Sequence, residues 1–143
     1  MEFVKLLKDP NALDLNKGLL LRLDPYENNT LLYGDLIYLE AVNKAERNIF
    51  IPPGTTVQLF RYDYKDKTWV ELTDSVNHYG DGITTYPAGK GGLSSAFIVV
   101  NPIIETPKEE EQIRIALTGF YLEDGKITSE GVTAFVDVKI SVP

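Results

Sequence analysis

The sequence predicts an all-β protein folded as an antiparallel β-sandwich of about eight or nine strands. The strongest evidence is the stretch 132–142, where every second residue is apolar. Successive side chains of a strand point to opposite faces, so this pattern predicts one long strand with one face in a core and the other in water. Eleven Gly and eight Pro supply frequent turn positions, and no segment shows a helical period.

Short apolar segments bounded by turn-forming residues predict the other strands. In the first of them Leu19, Leu21 and Leu23 alternate with polar or outward positions, and Ile37, Leu39 and Ala41 do the same in the next. Residues 56–62 and 68–72 predict a hairpin around the polar turn 63–67. The predicted strands before 132–142 are 18–24, 35–43, 49–51, 56–62, 68–72, 83–86, 93–100 and 113–119.

Length and charge limit the class of protein. A chain of 143 residues suits one domain, and we assign residues 1–17 to a leading segment and 18–143 to the sandwich. The formal net charge of −7 argues against nucleic acid and anionic lipid as partners. The absence of cysteine excludes disulfides and Cys nucleophiles. No apolar run reaches the roughly 18 residues of a membrane span, so we expect no membrane insertion by this chain.

Several segments carry a resemblance to a known family. They are Gly18-Leu-Leu-Leu-Arg-Leu, Tyr33-Gly-Asp-Leu-Ile-Tyr-Leu-Glu-Ala-Val-Asn43, Leu59-Phe-Arg-Tyr-Asp, Trp69-Val-Glu-Leu, Tyr86-Pro-Ala-Gly, Ile113-Arg-Ile-Ala-Leu-Thr-Gly and Ala134-Phe-Val-Asp-Val. In this order they resemble the immunoglobulin-like domains of bacterial exported proteins and lipoproteins. The same layout also resembles a family of small bacterial intracellular proteinase inhibitors with an immunoglobulin-like sandwich.

The first resemblance implies a non-catalytic module that acts in protein binding, adhesion or spacing, without a cofactor. It also implies a location at the cell surface or outside the cell, with a leader or anchor trimmed. A cytoplasmic location is the alternative, because residues 1–8 are too short and too charged for a secretory signal. Prolines at strand ends and charged turns favour a monomer.

Aromatic residues are the main binding candidates. Tyr62, Tyr64, Trp69, Tyr79 and Tyr86 fall on the predicted hairpin and in or near the loop after it. Exposed aromatics would contact either a protein partner or the rings of a glycan. We expect Trp69, however, to fill the sandwich core, as a central Trp does in many such folds.

A proline-bounded segment is the candidate for the inhibitor alternative. In 102–107, Pro residues flank Ile103, Ile104 and Glu105, and a rigid extended loop of this kind would enter a protease cleft. The inhibitor and glycan alternatives stay open at this point.

The remaining polar motifs predict surface structure rather than chemistry. His78 is the only histidine and is expected in a polar loop, without the partners of a catalytic triad. Asp63 and Asp66 are interleaved with Lys, which a calcium loop avoids. Residues 89–92 lack the spacing of a phosphate-binding loop and predict a flexible turn. We therefore predict no catalytic residue, no metal site and no enzyme activity.

Overall fold

The structure is a computed structural model that describes residues 18–23, 30–32, 37–52, 57–72, 76–78, 82–102 and 110–141. It confirms the all-β prediction, because the described residues form eleven strands and no helix. Nine of these strands correspond to the predicted ones. The strands are β1 (Leu19–Leu23), β2 (Thr30–Leu32), β3 (Ile37–Asn43), β4 (Ile49–Ile51), β5 (Val57–Asp63), β6 (Thr68–Leu72), β7 (Val76–His78), β8 (Ile83–Thr85), β9 (Ser95–Pro102), β10 (Glu111–Glu123) and β11 (Lys126–Ser141).

The strands form two sheets. The four-stranded sheet has the order β1-β3-β9-β7, and the seven-stranded sheet has the order β2-β11-β10-β4-β8. In the second sheet β5 also pairs with β10, and β6 pairs with β5. Among the described pairings only β2 with β11 is parallel, with Thr30 opposite Lys139. The prediction of antiparallel sheets is therefore correct everywhere except at this edge.

The core lies between the two sheets and is built by the predicted alternation. Leu19, Leu21 and Leu23 are buried while Arg22 is exposed, and β3 and β11 follow the same pattern. The other strands contribute their own inward residues to the same cluster. The fully buried large side chains of this cluster are Leu19, Ile37, Leu39, Ile49, Ile51, Leu59, Ile113, Ile115, Leu117 and Val138.

The β10–β11 hairpin is the central pair of the seven-stranded sheet. Its two-residue turn has Asp124 at φ 51° and Gly125 at φ 76°, the geometry of a type I′ turn, which suits the twist of a long hairpin. β11 follows one edge of β10 along almost its whole length. The other edge is shared, since β5 pairs with Ile113–Leu117 and β4 pairs with Phe120 and Tyr121. The β5–β6 hairpin and the β4–β8 pair therefore lie at opposite ends of β10.

Two short strands lie where the sequence predicts a turn or a loop. β2 ends the predicted turn 25–30, and β7 contains His78, which we expected in a polar loop. Both strands have three residues and exist because a distant strand offers them an edge, β11 for β2 and β9 for β7. The leading segment 1–17 lies outside the described residues.

Candidate functional site

The β5–β6 hairpin brings three of the predicted aromatic residues together. Tyr62 and Trp69 are directly opposite each other in the antiparallel ladder, and their ring centroids are 5.1 Å apart. Tyr64, the first residue of the turn, places its ring 4.9 Å from that of Tyr62. The Tyr64 side chain is 59% exposed. The three rings form a continuous aromatic row from the strand pair to the tip of the hairpin.

The turn that carries Tyr64 is fixed by its own first carboxylate. Asp63 Oδ1 accepts hydrogen bonds from the backbone N–H groups of Lys65 and Asp66, at 2.9 and 3.2 Å. Lys67 closes the turn with φ 56°. Because Asp63 satisfies two backbone donors, this carboxylate has a structural role in the turn, in agreement with the predicted solvated turn.

A cation continues the aromatic row across the sheet. Arg114, on the outward face of β10, lies 4.3 Å from the Trp69 ring and 3.9 Å from the Phe135 ring. Its Nε and one terminal nitrogen donate to the two carboxylate oxygens of Asp137 at 2.8 and 3.0 Å. Tyr62, Tyr64, Trp69, Arg114 and Phe135 are called the hairpin patch below. The forked pair with Asp137 fixes the guanidinium against the Trp69 and Phe135 rings.

Trp69 does not lie in the core between the sheets, so that expectation is wrong. It is half-buried on the outer face of the seven-stranded sheet, packed with Phe135 against a small second cluster of Phe60 and Ala116. The cause is the register of the hairpin. Trp69 is paired with Tyr62, and Tyr62 lies on the face of β5 opposite to that of the core residue Leu59.

Tyr86 belongs to the opposite end of the molecule. It follows β8, whose last residue Thr85 is level with Tyr121 of β10, because both are next to the same residue of β4 in the sheet. Tyr62 and Trp69 are paired with each other and are level with Gln112 of β10. Nine residues of β10 separate these levels, or about 30 Å at strand spacing. The predicted aromatic set is therefore divided by the fold.

The Tyr86 ring packs on the glycine-rich turn that follows it. The backbone N–H of Tyr86 donates to the carbonyl of Leu93 at 2.9 Å, and a Cβ placed on Gly92 would lie 2.4 Å from the Tyr86 ring. The N–H of Lys90 donates to the carbonyl of Pro87 at 3.1 Å, so a turn closes over 87–90, the first part of the predicted turn segment 87–92. Tyr79, Ile103, Ile104 and Glu105, the other predicted binding residues, lie outside the described residues.

Polar contacts near that end hold the loops in place. Asn43, only 1% exposed, donates to the carbonyls of Arg47 and Thr85 at 2.9 and 3.3 Å and accepts from the N–H of Ala45 at 2.8 Å. Arg47 lies 4.4 Å from the Tyr121 ring, and a hydrogen bond to a nearby glutamate raises the pKa of its guanidinium. The hydrogen bonds of the buried Asn43 amide therefore give this side chain a structural role in holding the loops.

The same loops border an open cleft of about 580 Å³. Its lining residues are Val42, Asn43, Lys44, Ala45, Glu46, Pro87, Ala88, Lys90 and Ser94. Charges of both signs line it, and the Asn43 amide that borders it is already bonded within the loops. In the part of the chain that the structure describes, no three His, Cys, Asp or Glu residues come together as they would around a metal ion.

Two exposed aromatic residues on the other sheet are absent from the predicted set. Tyr38 on β3 is 46% exposed and Phe97 on β9 is 60% exposed, and both point outward from the four-stranded sheet. The alternation that places Ile37 and Leu39 inward also places Tyr38 outward, so the same pattern could have found it. Phe97 follows likewise from its inward neighbour Ala96.

Sheet order and core together define an immunoglobulin-like β-sandwich. Among the residues that the structure describes, there is no helix with the length and hydropathy needed to cross a membrane. No family model matches the sequence, and no curated protein matches it.

Several solved structures are similar to this chain at low sequence identity. One is the ASH / PapD-like domain 7 of human CEP192, with 8% identity, 100% of this chain and 94% of that chain covered, and a TM-score of 0.45. Another is the E. coli chaperone DraB, with 14% identity, coverage of 87% and 55%, and a TM-score of 0.48. A third is the class 5 fimbriae chaperone CfaA, with 18% identity, coverage of 86% and 56%, and a TM-score of 0.48.

The chain spans a little over half the length of the two chaperones. With identities of 8–18% and TM-scores below 0.5, no family and no function follow from these comparisons.

Proposed function

We propose that this protein is a non-catalytic binding module whose hairpin patch contacts a protein partner. The observation that carries the proposal is the row of three aromatic rings that ends in the exposed Tyr64 on a rigid turn. Tyr and Trp are enriched where proteins bind one another, because they supply rigid apolar area together with a polar group. Arg114 and Asp137 add a charged margin to this apolar centre.

The ring angles favour a protein partner over a glycan. Tyr62 meets Tyr64 at 82° and Trp69 at 65°, so neighbouring rings are set edge to face. A sugar stacks on a flat aromatic face, and the Arg114 guanidinium already lies over the Trp69 ring. Edge-to-face rings instead offer ridges between which apolar side chains can insert. The carbohydrate alternative therefore lacks a flat platform within the hairpin patch.

The inhibitor alternative depends on Ile103, Ile104 and Glu105, which lie outside the described residues, and it stays a prediction. A location outside the cytoplasm and a monomeric state also stay predictions from the sequence. The hairpin patch supports a binding role in either compartment.

The experiment that tests the proposed function is a selection from displayed random twelve-residue peptides against the immobilised protein. Dissociation constants of the selected peptides are then measured with the wild type, Tyr64→Ala and Tyr38→Ala. Both tyrosines are exposed, but Tyr38 lies on the other sheet, so it is a matched control. We expect Tyr64→Ala to weaken binding at least about tenfold, as for a typical interface hot spot, and Tyr38→Ala to leave it unchanged.

Two outcomes would contradict the proposal. If the selected peptides bind Tyr64→Ala as well as wild type, or depend on Tyr38 instead, the hairpin patch is not the binding surface. If no peptide is selected while a glycan array shows binding that Tyr64→Ala abolishes, the carbohydrate alternative is correct and the proposed protein partner is wrong.

A further inference from the structure

The β6 strand is the outermost strand on its side of the seven-stranded sheet. It pairs with β5 over all five of its residues, and the described part of the chain places no strand beyond it. In an antiparallel ladder, successive residues direct their N–H and C=O groups to opposite sides. Within the described residues, the outward groups of Thr68–Val70 therefore have no strand partner, and this edge can accept another extended chain.

The centre of this edge lacks the usual protection against strand pairing. Natural edge strands are blunted by a lysine, a proline or a bulge, and none of these occurs within β6. Val70, in the middle of the strand, is instead 40% exposed, and Thr68 is exposed as well. The charge inside the strand, Glu71, accepts a hydrogen bond from Gln58 at 3.3 Å and so leans back over the sheet.

Both faces of the edge offer apolar contacts to an added strand. The added strand would lie about 4.8 Å from β6, with its side chains alternating between the two faces. On one face they would contact Trp69 of the hairpin patch, and on the other they would contact Val70. Direct cross-strand neighbours lie close enough for these contacts.

We infer that the partner of the hairpin patch is an extended segment of another protein, which adds a strand to β6 and carries apolar side chains next to Trp69 on one face and next to Val70 on the other. The inference rests on the proposed function and specifies the form of its ligand. An extended segment fits because main-chain pairing is the contact that an open strand edge offers. A second copy of this chain is disfavoured as the occupant, because two molecules of net charge −7 repel each other.

The test is an N-methyl scan of a peptide selected for binding to the full chain. Each backbone N–H of the peptide is replaced in turn, and the dissociation constant is measured. A peptide strand on one edge uses the N–H of every second residue, so we expect losses of about tenfold at alternate positions and small changes between them. Losses without a period of two would overturn the inference.

A pair of substitutions tests the edge itself. Val70→Lys places a charge at the centre of the exposed edge and should weaken peptide binding about tenfold or more. Phe97→Lys, an exposed apolar residue on the other sheet, should leave binding unchanged. A cooperative unfolding transition in urea is required of both variants, as the check that each is folded. Equal binding by Val70→Lys and wild type contradicts strand pairing at β6.

The outcomes separate the inference from the proposed function. A peptide that loses affinity in Tyr64→Ala but shows no alternation in the scan overturns strand pairing and leaves the binding role of the hairpin patch intact. A selection without any binding peptide overturns both. Light scattering that shows a wild-type dimer, absent in Val70→Lys, would identify a second copy as the occupant and also overturn the inference.

Discussion

Replacing Arg114 by Ala should destabilise the protein by about 2–3 kcal/mol. Arg114 is only 13% exposed in its side chain, so its contacts with the Trp69 and Phe135 rings are largely removed from water. Each ring contact contributes about 0.5–1 kcal/mol. The pair with Asp137 contributes about 1 kcal/mol, limited because the Asp137 side chain is 44% exposed.

The assay is urea unfolding followed by Trp69 emission and by far-UV circular dichroism. For a chain of this length the loss corresponds to a fall in melting temperature of about 6–9 °C. Arg114→Lys keeps the charge but not the planar fork, so it should lose about half as much as Arg114→Ala. Native Trp69 emission should also change in Arg114→Ala, because the guanidinium no longer lies over the ring.

A matched control separates buried from exposed pairs. Arg22 bonds Glu40 across β1 and β3, but the Arg22 side chain is 59% exposed. Arg22→Ala should therefore change the free energy of unfolding by less than about 1 kcal/mol. The reasoning is refuted if Arg114→Ala costs under about 0.5 kcal/mol, or no more than Arg22→Ala.

Two further predictions concern the loops at the other end of the sandwich. Gly92→Ala should cost about 3 kcal/mol in a urea titration, because Gly92 has φ 74° and an added Cβ would lie 2.4 Å from the Tyr86 ring. Gly89→Ala, at φ 80° with open space around it, should cost about 1 kcal/mol. Equal losses in the two variants would show that the ring contact is unimportant. Asn43→Ala should cost about 2–3 kcal/mol, since two carbonyls and one N–H lose a buried partner. Asn48→Ala is its control in thermal unfolding and should stay within about 0.5 kcal/mol of wild type, because half-buried Asn48 uses its backbone carbonyl to accept from the N–H of Leu122 at 2.9 Å, a bond that Ala keeps.

Alternation along single strands predicted most of the fold. It placed Leu19, Leu39 and Ala134 in the core, and the hairpin signal predicted the pairing that brings Tyr62 beside Trp69. In both cases the information is local, since a period of two or a turn between two apolar runs is visible in the chain itself.

The remaining features depend on contacts between distant segments. β6 has apolar residues on both faces, so its sequence does not reveal that Trp69 points away from the core. The β2 strand exists because Thr30 meets Lys139, and no local pattern encodes a parallel pair at that separation. Tyr86 is apart from the hairpin patch because β4 and β5 share one edge of β10, which is a property of sheet order.

The position of β10 and β11 has a consequence for folding during synthesis. The four-stranded sheet is complete in sequence at Pro102, and the β5–β6 hairpin has emerged well before that point. Yet β2, β4 and β5 all pair with β10 or β11, the last strands described. Until that hairpin leaves the ribosome, the four-stranded sheet has no opposing sheet to cover its apolar face. A nascent chain that ends at Pro102 therefore lacks the two strands that join β2, β4 and β5 into one sheet, and we expect its apolar strands to be exposed to aggregation and to capture by folding helpers.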